Sequence, residues 1–153
     1  MDDQFYMMLA IKQAQHAQTM GEVPVGAVIT DADGQVIGHG HNAPVSTSDP
    51  TCHAEIAAIR MAAHSRKNYR LTGTTLYVTI EPCIMCMGAI IHSRIRRVVF
   101  GASDPKWGAV CSLYHMADDQ RLNHCPEVTA GVCEEQTRNL MKHFFCSKRS
   151  RKC

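Results

Sequence analysis

Apolar residues recur along the chain in patterns that predict a small set of helices and strands. Over residues 7–17 they are spaced three and four apart, which predicts an amphipathic helix that ends near Gly21. Two short apolar runs, 24–30 and 36–40, flank the sequence Asp-Ala-Asp-Gly at 31–34. This combination is typical of a β-hairpin.

Further along, two segments are apolar nearly all the way round. Residues 53–63 and 83–91 are rich in Ala, Ile and Met and are too long for typical strands, so we predict that both are buried helices. Strands are predicted at 75–80 and 97–100, with a weaker candidate at 128–129. An amphipathic stripe over residues 133–144 predicts a closing helix.

The predicted strands lack polar alternation, which indicates a sheet that is covered on both faces. Together with the order of the elements, this predicts a three-layer α/β/α sandwich around a mixed five-stranded sheet. The chain has 153 residues, without a repeat, a low-complexity segment or a linker. We therefore predict one domain over residues 1–153, of a size that buries a core without disulfides.

Charge is distributed unevenly along the chain. Sixteen Lys and Arg residues oppose 14 Asp and Glu, and the net charge of +2 neither requires nor excludes a nucleic-acid partner. After Glu135 there is no acidic residue, whereas Lys or Arg occupies positions 138, 142, 148, 149, 151 and 152. The basic helix or tail at about 133–153 is therefore either a solvated chain end or a surface for a polyanion.

The apolar pattern also bears on location. No run approaches the roughly 18–20 apolar residues of a membrane span, and the acidic Asp2-Asp3 near the start differs from a secretory signal. We therefore expect a cytoplasmic protein without a membrane partner. In that setting the eight cysteines are expected to be thiols or metal ligands and not disulfides.

Two short motifs contain the residues best suited to chemistry. His53-Ala54-Glu55 begins one buried helix, and Pro82-Cys83-Ile84-Met85-Cys86 begins the other. Cysteines at i and i+3 share one helix face, and a helix N-terminus favours their thiolate form. Two thiolates and one imidazole leave one corner of a zinc tetrahedron open, as in catalytic zinc sites, and water in that corner ionises near pH ~7. Glu55 is a candidate proton carrier beside it.

Each motif alone has a simpler interpretation. A lone His-x-Glu is usually accidental, and a lone Cys-x-x-Cys is also typical of half a structural zinc site or of a redox pair. Redox chemistry does not account for His-Ala-Glu, and a structural site would usually need a fourth Cys or His. Cys52, His92 and Cys111 are available, but none has zinc-knuckle spacing. The two motifs together favour a catalytic metal site.

The motifs match the H-x-E and P-C-x-x-C pattern of zinc nucleobase deaminases, and a wider likeness accompanies them. The segments that carry it are 22–28 (EVPVGAV), Asn42 with 49–56 (DPTCHAEI), 75–86 (TLYVTIEPCIMC), 97–101 (RVVFG), Asp104-Pro105-Lys106 with Gly108-Ala109, and 122–124 (LNH). From about residue 5 to 149 the chain resembles the bacterial tRNA-specific adenosine deaminases, within the zinc-dependent cytidine/deoxycytidylate deaminase superfamily.

This resemblance implies a zinc-dependent hydrolase with a cytidine-deaminase-like fold, which acts as a homodimer. The implied substrate is the tRNA anticodon loop, whose first (wobble) adenosine becomes inosine, with an arginine tRNA expected. The implied ligands of one Zn²⁺ per subunit are His53, Cys83 and Cys86. Glu55 is implied to move protons between the attacking water, the ring nitrogen and the leaving ammonia.

The resemblance also implies substrate contacts outside the metal site. By analogy Asn42 contacts the flipped nucleoside, while Asp104 and Lys106 border its backbone. Phe145 and Arg149 are further predicted contacts, because an aromatic ring beside positive charge suits flanking bases and phosphates. The neighbouring Phe144 fits the core stripe of the closing helix instead.

Three residues and two competing functions remain open on the sequence. Cys52 and Cys111 stand where the family usually has alanine and glycine, and Trp107 either stacks on a base or covers an apolar patch. A free-base deaminase such as guanine deaminase would share the metal motif, although the basic tail argues against it. A non-catalytic zinc or RNA-binding module would not need Glu55.

Overall fold

The computed structural model describes residues 2–150, and the positions 151 and 152 of the predicted basic tail lie outside that range. The described residues form five helices and five strands. In chain order these are α1 (Asp3–Thr19), β1 (Gly26–Thr30), β2 (Val36–His41), α2 (Pro44–Thr47), α3 (Ala54–Arg66), β3 (Thr75–Ile80), α4 (Ile84–Ser93), β4 (Arg97–Ala102), β5 (Glu127–Thr129) and α5 (Glu134–Ser150).

The sheet has the strand order β2-β1-β3-β4-β5. Strand β1 pairs antiparallel with both β2 and β3, whereas β3, β4 and β5 run parallel. Every residue of β1 and β3 is buried, while edge strand β2 is half exposed. The prediction of a mixed sheet covered on both faces is therefore confirmed, including the weak candidate at 128–129.

Helices cover both faces of the sheet. Helices α3 and α4 pack on one face in a core that includes Leu76, Ile90 and Phe100. On the other face α1 packs against Val28, Tyr77 and Val99, and α5 lies beside it against β4. This confirms the three-layer sandwich. Within residues 2–150, none of the helices has the length and apolarity that crossing a membrane requires.

Two glycines on β2 set how closely α3 approaches the sheet. A Cβ atom on Gly38 would lie 2.5 Å from the carbonyl oxygen of Ala58, and one on Gly40 would lie 2.5 Å from that of Ala54. Backbone contact at this distance requires glycine, because any side chain would displace the helix. The first turn of α3 is therefore held close to the end of β2, where Asn42 follows.

The helix boundaries differ from the predicted ones in an informative way. His53 and Cys83 are the N-cap residues of α3 and α4, with extended backbone, and do not themselves lie within the helices. Helix α5 continues to Ser150, six residues beyond the predicted apolar stripe, and the four-residue α2 was not predicted. The greater length of α5 and the presence of α2 were not predicted because apolar periodicity indicates only the parts of a helix that pack on a core.

Candidate metal centre and its pocket

Three possible metal ligands converge where the N-termini of α3 and α4 meet. His53 Nδ1 lies 3.6 Å from Cys83 Sγ and 3.5 Å from Cys86 Sγ, and all three atoms lie within 4.8 Å of one another. In a zinc tetrahedron with bonds of about 2.05 Å to nitrogen and 2.3 Å to sulfur, nitrogen and sulfur are separated by roughly 3.6 Å. The donor set and its spacing therefore fit zinc.

The local sequence places these ligands by helix capping. The carbonyl groups of His53 and Cys83 accept the first helical bonds, from Ala57 N (3.1 Å) and Met87 N (2.9 Å). Both cap side chains stand at the positive end of a helix dipole, which favours an anionic thiolate. Hydrogen bonds from Cys86 and His53 lower the pKa of the Cys83 thiol to about 4.

The thiols of Cys83 and Cys86 differ in pKa. The hydrogen bond to Cys83 raises the pKa of Cys86, and burial acts in the same direction. The hydrogen bond with Cys83 also raises the pKa of His53. A thiolate beside a thiol and an imidazole is the state from which a cation is bound with release of protons.

Within residues 2–150, no fourth His, Cys, Asp or Glu joins this cluster. All cysteines of that range are free thiols. Three protein ligands leave one position for water or substrate, which distinguishes a catalytic zinc site from a closed structural one.

Glu55 lies in the first turn of α3, two residues after His53. Its side chain is 4% exposed, and burial raises its pKa to about 6. A carboxyl group with a pKa near neutrality can both accept and donate a proton at physiological pH. The structure thus places a carboxyl group that is able to carry protons on the same cavity as His53 and Cys83.

A cavity of about 1200 Å³ opens over this centre. Of the nine predicted site residues only Cys86, which is fully buried, does not line it. The eight that do are Asn42, His53, Glu55, Cys83, Asp104, Lys106, Phe145 and Arg149. The volume exceeds the roughly 300–1000 Å³ of typical small-molecule pockets, so it accommodates more than one nucleobase.

One wall is formed by the loop that follows β2. Asn42 is buried at the start of this loop, where its N–H donates to Val25 O at 3.0 Å. Glu22 holds the short helix α2 that follows, because its carboxylate accepts hydrogen bonds from Val45 N (3.2 Å), Ser46 N (2.7 Å) and Ser46 Oγ (2.5 Å). Burial opposes ionisation, but these bonds keep the pKa of Glu22 below its ordinary value.

The opposite wall is the loop after β4, which carries Asp104 and Lys106. Asp104 is half-buried, and its Oδ1 accepts the N–H of Lys106 at 3.0 Å, so its carboxylate shapes the loop. Beneath it, the buried carboxylate of Glu81 accepts hydrogen bonds from Asp104 N and from backbone N–H groups of residues 110–112. Burial acts against ionisation, yet these bonds hold the pKa of Glu81 below its usual range.

Helix α5 forms the outer wall with one basic face. Arg138 and Met141 line the cavity together with Phe145, Lys148 and Arg149. Their spacing of three, four, three and one places them on one side of the helix. Phe145 is 44% exposed, whereas Phe144 is 7% exposed and packs in the core.

Several contributors were missed by the sequence reasoning. The helical spacing of Arg138 with Phe145 was available as a signal, but the prediction followed the apolar stripe over residues 133–144. That stripe includes Met141, which also lines the cavity. The roles of Glu22 and Glu81 had no local signal, because their partners are backbone groups 23 to 31 positions away. Cys52 is half-buried and Cys111 is exposed, and neither joins the ligand cluster.

Comparison with known proteins gives consistent similarities. The family model of the cytidine and deoxycytidylate deaminase zinc-binding region matches residues 1–102. A tRNA-specific adenosine deaminase of Haemophilus influenzae is 50% identical over 150 residues, which cover 98% of this chain and 87% of that protein.

Two solved structures of deaminases are also similar to this chain. One, from a study of A-to-I editing by tRNA:A34 deaminases at the wobble position, superposes with a TM-score of 0.85 at 43% identity, covering 89% of this chain and 98% of that one. A guanine deaminase of Bacillus subtilis superposes with a TM-score of 0.65 at 38% identity, over 67% of this chain and 66% of that one.

Proposed function

The chain belongs to the cytidine and deoxycytidylate deaminase family, among the tRNA-specific adenosine deaminases, and we propose that it converts the adenosine at the first (wobble) anticodon position of a tRNA to inosine. The finer part of the proposal is that the substrate is an arginine tRNA. The proposed cofactor is one Zn²⁺ per subunit, held by His53, Cys83 and Cys86.

One observation supports RNA as the substrate over a free base. The mouth of the cavity carries four cationic side chains, namely Lys106, Arg138, Lys148 and Arg149, together with the exposed rings of Trp107 and Phe145. Cations that follow a phosphate backbone and aromatic rings on which bases stack are the usual means of binding single-stranded nucleic acid. A free base needs neither.

The proposed reaction replaces the amino group of adenine by oxygen. Water adds its oxygen to C6, and the C6–N bond breaks, so that adenosine and water yield inosine and ammonia. A bound zinc ion supplies a water nucleophile that ionises near neutral pH. Glu55 takes a proton from the attacking water, delivers it to the adjacent ring nitrogen and then carries a proton to the departing ammonia.

The loop residues would hold the nucleotide in place. An unpaired anticodon base can swing out of the loop at lower cost than a base inside a duplex. The amide of Asn42, at the inner wall, can donate to and accept from the flipped nucleoside. By the family analogy Asp104 and Lys106 would border its backbone, and the ammonium of Lys106 would pair with a phosphate.

The competing function is deamination of a free base. The similarity to a guanine deaminase covers two thirds of the chain at 38% identity, so the metal centre alone does not separate the two. We therefore propose to incubate zinc-loaded protein with an anticodon stem-loop that has adenine at the first position, and in parallel with free adenosine, guanine and cytidine. Product is measured by mass, as the one-unit gain of exchanging an amino group for oxygen.

We expect inosine in the stem-loop and no turnover of the free compounds. Turnover of a free base alone would contradict the proposal and favour the competing function. Activity on the stem-loop should fall steeply with added salt, because phosphate contacts weaken. Stem-loops of arginine and other tRNAs, each with the same first-position adenine, then test the finer part.

Glu55→Ala tests the assigned proton carrier and the non-catalytic alternative together. We expect the variant to keep its zinc, measured by atomic emission, and to lose at least about 100-fold in turnover, the lower end for general acid–base catalysis. Glu127→Ala, at a 65% exposed side chain on β5, is the matched control. Persistent deamination by Glu55→Ala would overturn the role.

We also propose a homodimer, as the family resemblance implies. Among the large apolar side chains that the single chain leaves at least 43% exposed outside the cavity are Met61, Leu113 and Tyr114. Sedimentation equilibrium measures the mass, and a monomer at micromolar concentration would contradict this part of the proposal.

A further inference from the structure

Trp107 is the one tryptophan in the chain, and it stands at the mouth of the cavity. Its side chain is 68% exposed although it lines the cavity wall. An indole buries a large apolar area when it finds a partner, so exposing it costs free energy. Within residues 2–150, no neighbour covers the exposed two thirds of this side chain.

The backbone beneath Trp107 is held firmly. Asp104 accepts the N–H of Trp107 on its side chain (3.2 Å) and that of Gly108 on its carbonyl (2.8 Å). Ala109 N donates to Pro82 O at 2.8 Å, which joins the loop to the metal-binding segment. Because Glu81 fixes the residues that follow, the ring projects from a braced loop and not from a mobile tip.

The charge around the ring indicates which partner it meets. Lys106 is adjacent, and Lys148 and Arg149 line the same cavity from α5. The acidic groups of the lining are Glu55 and Glu81, which are buried, and Asp104, whose carboxylate is engaged by its own loop. A positive rim around an exposed indole suits a polyanion with flat apolar faces, which is single-stranded RNA.

We propose that Trp107 is a stacking platform for a nucleotide that flanks the target adenosine in the RNA. The inference rests on the proposed function and extends it to a residue that holds the strand while the target base enters the cavity. Every base has an aromatic face, so the platform tolerates any flanking sequence. The ring touches no reacting atom, and its effect falls on RNA binding and on KM, not on kcat.

The lone tryptophan also supplies the assay. Glu55→Ala protein, loaded with zinc, is titrated with the stem-loop while indole fluorescence is recorded, so that the RNA stays unconverted. A fluorescent label on the RNA measures binding independently by anisotropy. We expect indole emission to be quenched along the same binding curve as the anisotropy.

Variants measure what the stacking contributes. On otherwise wild-type protein we expect Trp107→Ala to raise KM for the stem-loop roughly tenfold with kcat unchanged, and Trp107→Phe to recover most of the loss. Phe5→Ala is the matched control, because Phe5 is an exposed ring (44%) on α1 that does not line the cavity. A stem-loop with abasic flanking positions should bind Trp107→Ala and wild type alike.

The possible failures are distinguishable. If the anisotropy shows no RNA binding, the proposed function fails and this inference fails with it. If RNA binds while indole emission and the KM of Trp107→Ala stay unchanged, only this inference is overturned. Emission that follows protein concentration and not RNA would assign Trp107 to contact with a second copy of the chain, which also overturns it.

Discussion

Replacing the buried carboxylate of Glu81 by an amide should destabilise the loop that carries Asp104, Lys106 and Trp107. Glu81 is 3% exposed. Its Oε2 accepts N–H groups of residues 110, 111 and 112 at 3.1, 3.0 and 3.0 Å. Its Oε1 accepts Asp104 N at 3.2 Å and the Ser112 hydroxyl. The side chain of Glu81→Gln has one acceptor oxygen, so it cannot serve both groups of donors.

The magnitude follows from counting these bonds. If the amide oxygen keeps the three N–H groups, each bond loses its charge assistance, at about 1 kcal/mol apiece. The Ser112 hydroxyl can rotate and accept from the new amide, but Asp104 N is left without its acceptor, which costs about 1–3 kcal/mol. Relief of carboxylate desolvation offsets part of this sum. We expect a net loss of about 2–4 kcal/mol in the free energy of unfolding.

Urea denaturation of the zinc-loaded protein measures this loss. With a slope of about 2 kcal/mol per molar urea, the midpoint should fall by about 1–2 M. Glu127→Gln, which removes a 65% exposed carboxylate that pairs with Arg96 at 3.6 Å, should lose less than about 1 kcal/mol. If Glu81→Gln loses no more than this control, Glu81 does not brace the loop and the reasoning is refuted.

Two further predictions concern α3 and the N-terminal helix. Gly40→Ala should destabilise the protein by about 1–3 kcal/mol and lower deaminase turnover, because its Cβ would lie 2.5 Å from Ala54 O and displace the turn that carries Glu55; Gly88→Ala, with nothing within 4 Å of the new Cβ inside α4, should be neutral or stabilising, and equal effects in denaturation would refute this. Hydrogen bonds from Arg97 (2.9 and 2.7 Å) lower the pKa of Asp3 below 3.8, so its stabilisation is present above that pH and is lost as pH falls through the lowered pKa. Asp3→Asn should therefore lose about 1–2 kcal/mol at pH 7, and a difference from wild type that does not shrink below pH 3.8 would contradict the assignment.

The architecture and the reacting centre could be predicted because their signals are local. Continuous apolar runs predicted buried strands, and the motifs His53-Ala54-Glu55 and Pro82-Cys83 predicted that His53 and Cys83 stand at helix N-termini. His53 Nδ1 and Cys83 Sγ lie 3.6 Å apart. This distance depends on how the two connections between parallel strands of the sheet place the N-termini of α3 and α4. The sequence does not show this geometry, and the ligand set was inferred from the motifs and the family resemblance.

The remainder of the site depends on contacts between distant segments. In the sequence, Glu22 and Glu81 look like ordinary acidic residues beside strands. Their partners are mainly backbone N–H groups, and the type of a residue does not indicate what its backbone N–H binds. Arg138 lies about 120° around α5 from Phe144, and Met141 lies only about 60° from it. The cavity-lining face therefore adjoins the core-facing side, and only the packed structure shows which residues line the cavity. The pattern of apolar residues identifies which face of a helix is buried, but it does not indicate what the exposed face contacts.

The site has a floor, which many internal contacts hold in place, and a rim, whose side chains contribute little to the stability of the fold. The floor consists of helix caps, strand ends and the two carboxylates that tie down the loops, so almost every floor residue also supports the fold. The rim residues on α5 and at Trp107 project outward, and substituting them removes few internal contacts. Under the proposed function, mutations there would change which RNA is accepted at little cost in stability, while the deamination centre stays intact. Selection or engineering for new substrates therefore has the most freedom along the outer face of α5 and at the tip of the loop after β4.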